Sequence, residues 1–145
     1  MALKVCFIDV IHWHSASYYR ALKGLGDLVD LAAVSAGNPQ TGQQVAKDLG
    51  ARFYADPREM VQKERPDLVF ALGRHCDMAG TARFLLEEGI PFAMEKPMGM
   101  NAGEVEELAT LANLKGAFVA APFSIRMNPW VGKIKELEGP AADIS

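Results

Sequence analysis

The 145-residue sequence predicts a doubly wound α/β domain, a mainly parallel sheet with helices on both faces. Three observations carry this. Short apolar or β-branched runs alternate with helical patterns along the whole chain. Those runs are continuously apolar instead of alternating with polar residues, as strands covered on both faces are. Hydrophobic residues make up 50% of the chain, which suits one domain with a sizeable core.

Taken in order, strands are expected at Leu3–Ile8, Leu28–Ser35, Arg52–Tyr54, Asp67–Leu72, Pro91–Glu95 and Ala117–Phe123. Between and after them, helices are expected at Ser15–Leu25, Thr41–Leu49, Pro57–Glu64, Met78–Glu88, Asn101–Leu114 and Pro129–Leu137. The first strand holds Cys6, which reads as core. The fourth helix stops at Gly89, just before the fifth strand. The fifth helix has Asn101 as cap and Glu104 at capping-box spacing. Its apolar face is Val105, Leu108, Ala109 and Ala112, and Gly116 ends it. The sixth has Asn128 as cap, Pro129 in its first turn, and Trp130, Val131, Ile134 and Leu137 as a buried stripe. Glu104, Glu106 and Glu107 read as a solvated face near a helix N-terminus, where negative charge is favoured.

Composition removes several classes of function. The net charge of −3, with no Lys/Arg cluster, gives no electrostatic footprint for nucleic acid. No apolar stretch approaches the roughly 18–20 residues of a membrane span. The N-terminus enters a strand directly, without signal-peptide regions. The two cysteines, Cys6 and Cys76, make neither a disulfide framework nor a CxxC pair. A cytoplasmic protein with no membrane or nucleic-acid partner is expected.

The chain's first turn, "DVIHWHSAS", lies between a strand and a helix. Dinucleotide-binding domains keep their glycine-rich phosphate loop at this point, yet Asp9 to His14 contain no glycine. Further on, Glu95-Lys96-Pro97 ends a strand at the edge that faces the ligand crevice in open α/β sheets. By position alone Lys96 is open to three readings: a proton donor, a ligand for a substrate hydroxyl, or a solvated side chain.

The stretch "VFALGRHCDMAGTARFLLEEGIPFAMEKP", with the capped helix after it and "FVAAPFSIRMNPW", resembles the Gfo/Idh/MocA family of NAD(P)-dependent oxidoreductases over essentially the whole chain. Arg126 and Pro129 match that family's strand-to-helix passage. The resemblance implies a Rossmann-like fold and hydride transfer between NAD or NADP and a sugar-like or cyclitol hydroxyl. It gives Lys96 a proton-transfer role at the substrate, and it makes Glu95 the residue that orients Lys96. Pro97 then sets the bend, with the Lys-Pro peptide in the cis form that such bonds tolerate. Leu72 and His75 fall where a strand end and loop meet the nicotinamide. Residues 1–125 are the expected cofactor-binding domain. Residues 126–145 are the expected helix leading toward a second α/β domain that this chain lacks, and that domain would supply much of the substrate pocket and the usual homo-oligomer contact.

The sequence departs from the family pattern at two sites. Asp9, Ile11 and His14 stand where the glycines belong, so that Ile11 crowds the pyrophosphate and Asp9 repels it if turned inward. Ala36 replaces the acidic residue that binds ribose hydroxyls. Ser15 still begins a helix whose N-terminus favours an anion, and weakened or altered cofactor binding is expected. The competing reading is a non-catalytic Rossmann module that senses a nucleotide or metabolite.

Three histidines complete the picture: His12, His14 and His75. With Cys76 and Asp77 they open onto the same crevice, where their donors are those of a zinc site. The simpler reading makes His12 and His14 hydrogen-bonding elbow residues, with no metal assigned. Trp13, Tyr18 and Tyr19 are candidates for stacking on adenine or a sugar; packing against the sheet is the favoured reading for Tyr18 or Tyr19, and Trp13 is expected to cover part of the crevice.

Overall fold

The computed structural model describes residues 1–123 and 128–138. Strands and helices alternate as β1 (Leu3–Ile8), α1 (Ser15–Lys23), β2 (Val29–Ser35), α2 (Pro39–Leu49), β3 (Arg52–Tyr54), α3 (Pro57–Glu64), β4 (Leu68–Ala71), α4 (His75–Glu87), β5 (Phe92–Met94), α5 (Ala102–Lys115), β6 (Val119–Ala120) and α6 (Pro129–Glu138). All strand pairs are parallel, in the order β3-β2-β1-β4-β5-β6. The winding direction reverses at β1, between β2 and β4. That reversal opens a crevice above the C-terminal ends of β1 and β4. Among the described residues no helix is long and apolar enough to cross a membrane.

The pleat sends alternate residues of β1 to opposite faces. Val5 and Phe7 join Val34, Leu72 and Tyr19 under α1 and α2. Cys6 and Ile8 join Met60, Met78, Leu85 and Leu108 under α3, α4 and α5. Continuous apolar runs in the central strands follow from this two-sided cover, as the sequence anticipated. Burial, with some help from Glu64, pushes the Cys6 thiol up to about 12, and Cys6 is an inert core residue.

Helix ends follow the predicted chemistry. Asn101 Oδ1 accepts the Glu104 N–H at 3.0 Å, and Glu104 Oε2 accepts the Met100 N–H at 2.7 Å. The glutamate thus reaches one residue further back than in the standard capping box. Gly116 ends α5 at φ 59° and Gly89 follows α4 at φ 69°, left-handed values that glycine adopts without steric cost.

Four expectations need correction. The last strand is two residues long, not the predicted Ala117–Phe123. α4 begins at His75, not Met78, because Arg74 takes an extended conformation and Asp77, in the first turn, binds Arg74 Nε at 2.8 Å. On α5 only Leu108 of the predicted apolar face is buried; Val105 and Ala109 are exposed along a groove of about 260 Å³. Trp130 is 49% exposed instead of buried.

Glu64 is a buried carboxylate with a structural task. It accepts hydrogen bonds from the Arg52 guanidinium and from the Tyr54 hydroxyl at 2.5 Å, tying α3 to edge strand β3. Burial alone would raise its pKa, but the bonds from Tyr54 and Arg52 outweigh burial and hold it below the ordinary 4.5. A carboxyl depressed on folding stabilises the native state above its unfolded pKa, and that stability is lost as pH falls through the folded value. The thermal midpoint should therefore drop as pH is lowered from 5 toward the acid limb, and Glu64→Gln should flatten the drop. An acid limb of unchanged steepness in the variant would remove this role.

Candidate active site

The crevice is built from the loop after β1, the ends of β4 and β5, and the start of α1. The loop turns sharply because Asp9 adopts φ 57°, the left-handed region that side chains rarely occupy. Three contacts hold it there. The Asp9 N–H donates to Ser35 O at 2.8 Å, and Asp9 Oδ1 accepts the Gly37 N–H at 2.9 Å. A Cβ on Gly73 would lie 3.0 Å from Asp9 Oδ2, so the carboxylate needs that glycine beside it. An aspartate thus performs the turn that glycine performs in dinucleotide loops, and it sets a carboxylate on the crevice floor between the ends of β2 and β4. Residue type and spacing did not announce that placement.

Glu95 anchors the other half of the site. Only 1% exposed, its Oε2 accepts the Tyr18 hydroxyl at 2.7 Å and faces His14 Nδ1 at 3.1 Å, while Oε1 accepts the Lys96 N–H at 3.1 Å. Burial would raise this carboxyl, but the Tyr18, Lys96 and His14 contacts prevail and keep it ionised, below its ordinary value. An ionised carboxylate only accepts, so His14 presents Nδ1–H to it. Burial, then the bond to Glu95, pushes the Tyr18 hydroxyl up, so Tyr18 stays a neutral donor. His12 Nδ1 accepts the His14 N–H at 3.2 Å. Burial lowers its pKa, opposed by Glu95 and assisted by His14, Lys96 and His75.

His14, Tyr18, Glu95 and Lys96 share one cavity of about 500 Å³, lined also by Phe123. A smaller recess of about 320 Å³ lies on the other side of the elbow, between Ile11, His12, Gly73, Arg74 and His75. The apolar groove along α5 carries no titratable side chain.

The sequence-selected residues divide clearly. Lys96, Glu95 and His14 meet in the larger cavity, and Ile11, His12 and His75 line the second recess, with His12 bringing a ligand atom within 4.8 Å of His14 and Glu95; Asp9 lines neither and is held beside Gly37 and Gly73. The Lys96–Pro97 peptide is cis. Leu72, Ala36 and Ser15 do not offer side chains to a ligand. Leu72 and Ala36 are buried in the core beneath α1 and α2, and Ser15 Oγ donates to Val10 O at 3.0 Å. Glu95 holds Lys96 by its backbone N–H instead of its ammonium. His75 and Cys76 lie in the exposed first turn of α4, not in a loop. Trp13 is 79% exposed and lies tilted against His14, with ring centroids 3.6 Å apart and planes at 49°. Tyr19 packs edge-on against Phe7. Tyr18, for which packing is the favoured expectation over stacking on a ligand, is part of the site through its hydroxyl; its place one helical turn after His14 is the available signal. Arg126 lies outside the described residues.

Comparison with known proteins agrees with this geometry. Residues 12–123 match the oxidoreductase family with NAD-binding Rossmann fold, Gfo/Idh/MocA, and the match begins inside the elbow. No curated protein sequence matches. Among solved structures, GenD2 from gentamicin A biosynthesis, in complex with NAD, superposes with a TM-score of 0.86 at 20% identity over 96% of this chain and 39% of its own. The WlbA dehydrogenase of Chromobacterium violaceum, in complex with NADH and UDP-GlcNAcA, gives 0.87 at 18% identity over 93% and 39%. Myo-inositol 2-dehydrogenase from Lactobacillus plantarum gives 0.82 at 20% identity over 92% and 41%. The chain therefore spans about two fifths of the structures it matches. By the extent of the family match and by its β3-β2-β1-β4-β5-β6 sheet, the chain belongs to the Gfo/Idh/MocA oxidoreductases and carries their NAD-binding Rossmann domain.

Proposed function

We propose that this domain binds a nicotinamide dinucleotide in the crevice and takes part in oxidation or reduction of a sugar-like or cyclitol hydroxyl. The observation that carries the reading is the shared cavity in which Lys96 stands beside buried, ionised Glu95 at the C-terminal sheet edge. Residues 1–125 are the proposed cofactor-binding unit, and 126–145 the link to further substrate-binding residues.

The donor set fits a dinucleotide, though by other means than glycine. His12, Arg74 and His75 line the second recess. Arg74 uses Nε for Asp77, so the terminal N–H groups of its guanidinium are available to a pyrophosphate, and Gly73 permits close approach of backbone. The nicotinamide supplies the hydride acceptor or donor. Lys96 Nζ accepts the hydroxyl proton as the substrate is oxidised and returns it in the reverse direction. Glu95 fixes Lys96 through its N–H and keeps His14 and Tyr18 on the cavity wall. The Asp9 carboxylate near the β2 end opposes phosphate and weakens dinucleotide affinity.

Titration with NADH and NADPH, followed by amide chemical shifts, should perturb segments 9–16, 35–39, 72–78 and 95–97 and leave the opposite sheet edge still. The two titrations side by side select the cofactor. Shifts at the opposite edge sink the assignment, and no binding of either favours the non-catalytic module.

A further inference from the structure

We propose that His12, His14 and Glu95 form a site for a first-row divalent transition metal ion of the Zn²⁺ type, with an open coordination position toward Lys96. This inference is independent of the nicotinamide reading. One ligand atom from each of the three residues lies within 4.8 Å of the others. The cluster differs from the one the sequence brought forward, because Cys76 is exposed and Asp77 is engaged by Arg74. Glu95 takes their place.

Two imidazoles and a carboxylate are the donor set of catalytic zinc sites, which use three protein ligands and leave a fourth position for water or substrate. The geometry is near what such an ion needs. Tetrahedral zinc with bonds of about 2.0 Å sets neighbouring ligand atoms roughly 3.3 Å apart, and His14 Nδ1 stands 3.1 Å from Glu95 Oε2. The cation takes the position of the proton between those two atoms, and that single proton of the neutral His14 imidazole moves from Nδ1 to Nε2. His12 accepts the His14 N–H through Nδ1, a bond its ring must release to bring a lone pair to the cation. The widest separation, 4.8 Å, must close by roughly 1.5 Å. His12 can supply that movement, because its loop is in neither helix nor strand.

The surroundings meet the further requirements of a metal site. Tyr18 donates to Glu95 Oε2 and the Lys96 N–H to Oε1, outer partners that orient the ligating carboxylate. The cation with one carboxylate and two neutral imidazoles carries a net positive charge, and Lys96 lies on the same cavity wall. The open position therefore takes an oxygen ligand that is anionic or becomes so, such as a hydroxyl losing its proton, a carboxylate or a phosphate.

The test uses the untagged chain and Co²⁺, whose visible absorption reports coordination geometry. Titration is expected to show one equivalent bound with a tetrahedral or five-coordinate spectrum, displaced by Zn²⁺. His12→Ala, His14→Ala and Glu95→Gln should each weaken binding by more than the roughly 10–100-fold that loss of an outer partner costs. Cys76→Ser should leave the spectrum and affinity unchanged. Circular dichroism of each variant confirms folding, and His12→Ala, on the partly exposed elbow, keeps the test valid if Glu95→Gln does not fold. No saturable binding to the wild-type chain, or binding that survives His12→Ala and His14→Ala, overturns the proposal. Loss in Cys76→Ser overturns the ligand set. Dinucleotide binding measured in parallel keeps the nicotinamide reading separate from any of these results.

Discussion

Lys96→Ala is expected to lower kcat of the active enzyme about 10²–10⁴-fold, the range that a general acid–base group contributes, equivalent to roughly 2.7–5.4 kcal/mol of transition-state stabilisation. The same substitution should leave stability within about 0.5 kcal/mol, because Lys96 is exposed and Glu95 binds its backbone N–H, which alanine retains. Dinucleotide affinity should change little, since His12, Arg74 and His75 lie in the other recess. The expected signature is therefore a loss in turnover with folding and cofactor binding preserved. A lysine with a purely structural role gives the opposite pattern. If the variant melts early and turnover per folded molecule is unaltered, Lys96 is not the proton-transfer group and the proposed chemistry loses its central residue. Measuring the midpoint on the 145-residue chain and kcat on the active enzyme keeps the two effects apart.

The fold was readable because its determinants are local or periodic. β1 and β3 have the predicted limits, as does α3, where Asp56 caps through the Arg58 N–H and Pro57 occupies the first turn. Errors fall where tertiary context decides. The Ala117–Phe123 run has high strand propensity, but at the sheet edge only Val119 and Ala120 fall into register with β5, with the Phe118 carbonyl accepting the Phe92 N–H beside them. His75, Cys76 and Asp77 carry no apolar periodicity, yet an extended Arg74 and the pull of an acidic side chain toward a helix N-terminus begin α4 there.

The site was legible only in part, for a similar reason. Glu95-Lys96-Pro97 stood out because charged residues ended an apolar strand. The partners of Glu95 could not be read, since Tyr18 and His14 are 77 and 81 residues away and meet it only after β1 and β5 take places on either side of β4. The loss of glycine at the elbow was visible, but its structural answer was not. Asp9 adopts the glycine conformation itself, supported by Gly37 and Gly73 from two other loops.

The site also depends on the central strand beneath it, and Phe7→Ala is expected to produce the largest stability loss of any prediction here. Phe7 is fully buried on β1, paired with Val34 of β2 and Phe70 of β4. Its ring stacks on Phe70 with centroids 5.6 Å apart and meets Tyr19 of α1 edge-on at 6.5 Å. Truncation removes buried apolar area and leaves a cavity that a strand bonded on both sides cannot close, which typically costs about 3–5 kcal/mol. Against a total stability of roughly 5–15 kcal/mol, this would lower the thermal midpoint by roughly 10–15 °C. Phe7→Leu keeps most of the volume and should cost less than about 1.5 kcal/mol. Because Tyr19 lies next to Tyr18 on α1, loosening that contact should also disturb the Tyr18–Glu95 bond, so amide shifts at residues 14–18 and 95–96 should move in Phe7→Ala even where the protein remains folded. A destabilisation below 1 kcal/mol, or a large one with the 14–18 and 95–96 signals unmoved, would mean that α1 is held to the sheet by other contacts and that the crevice does not depend on this ring.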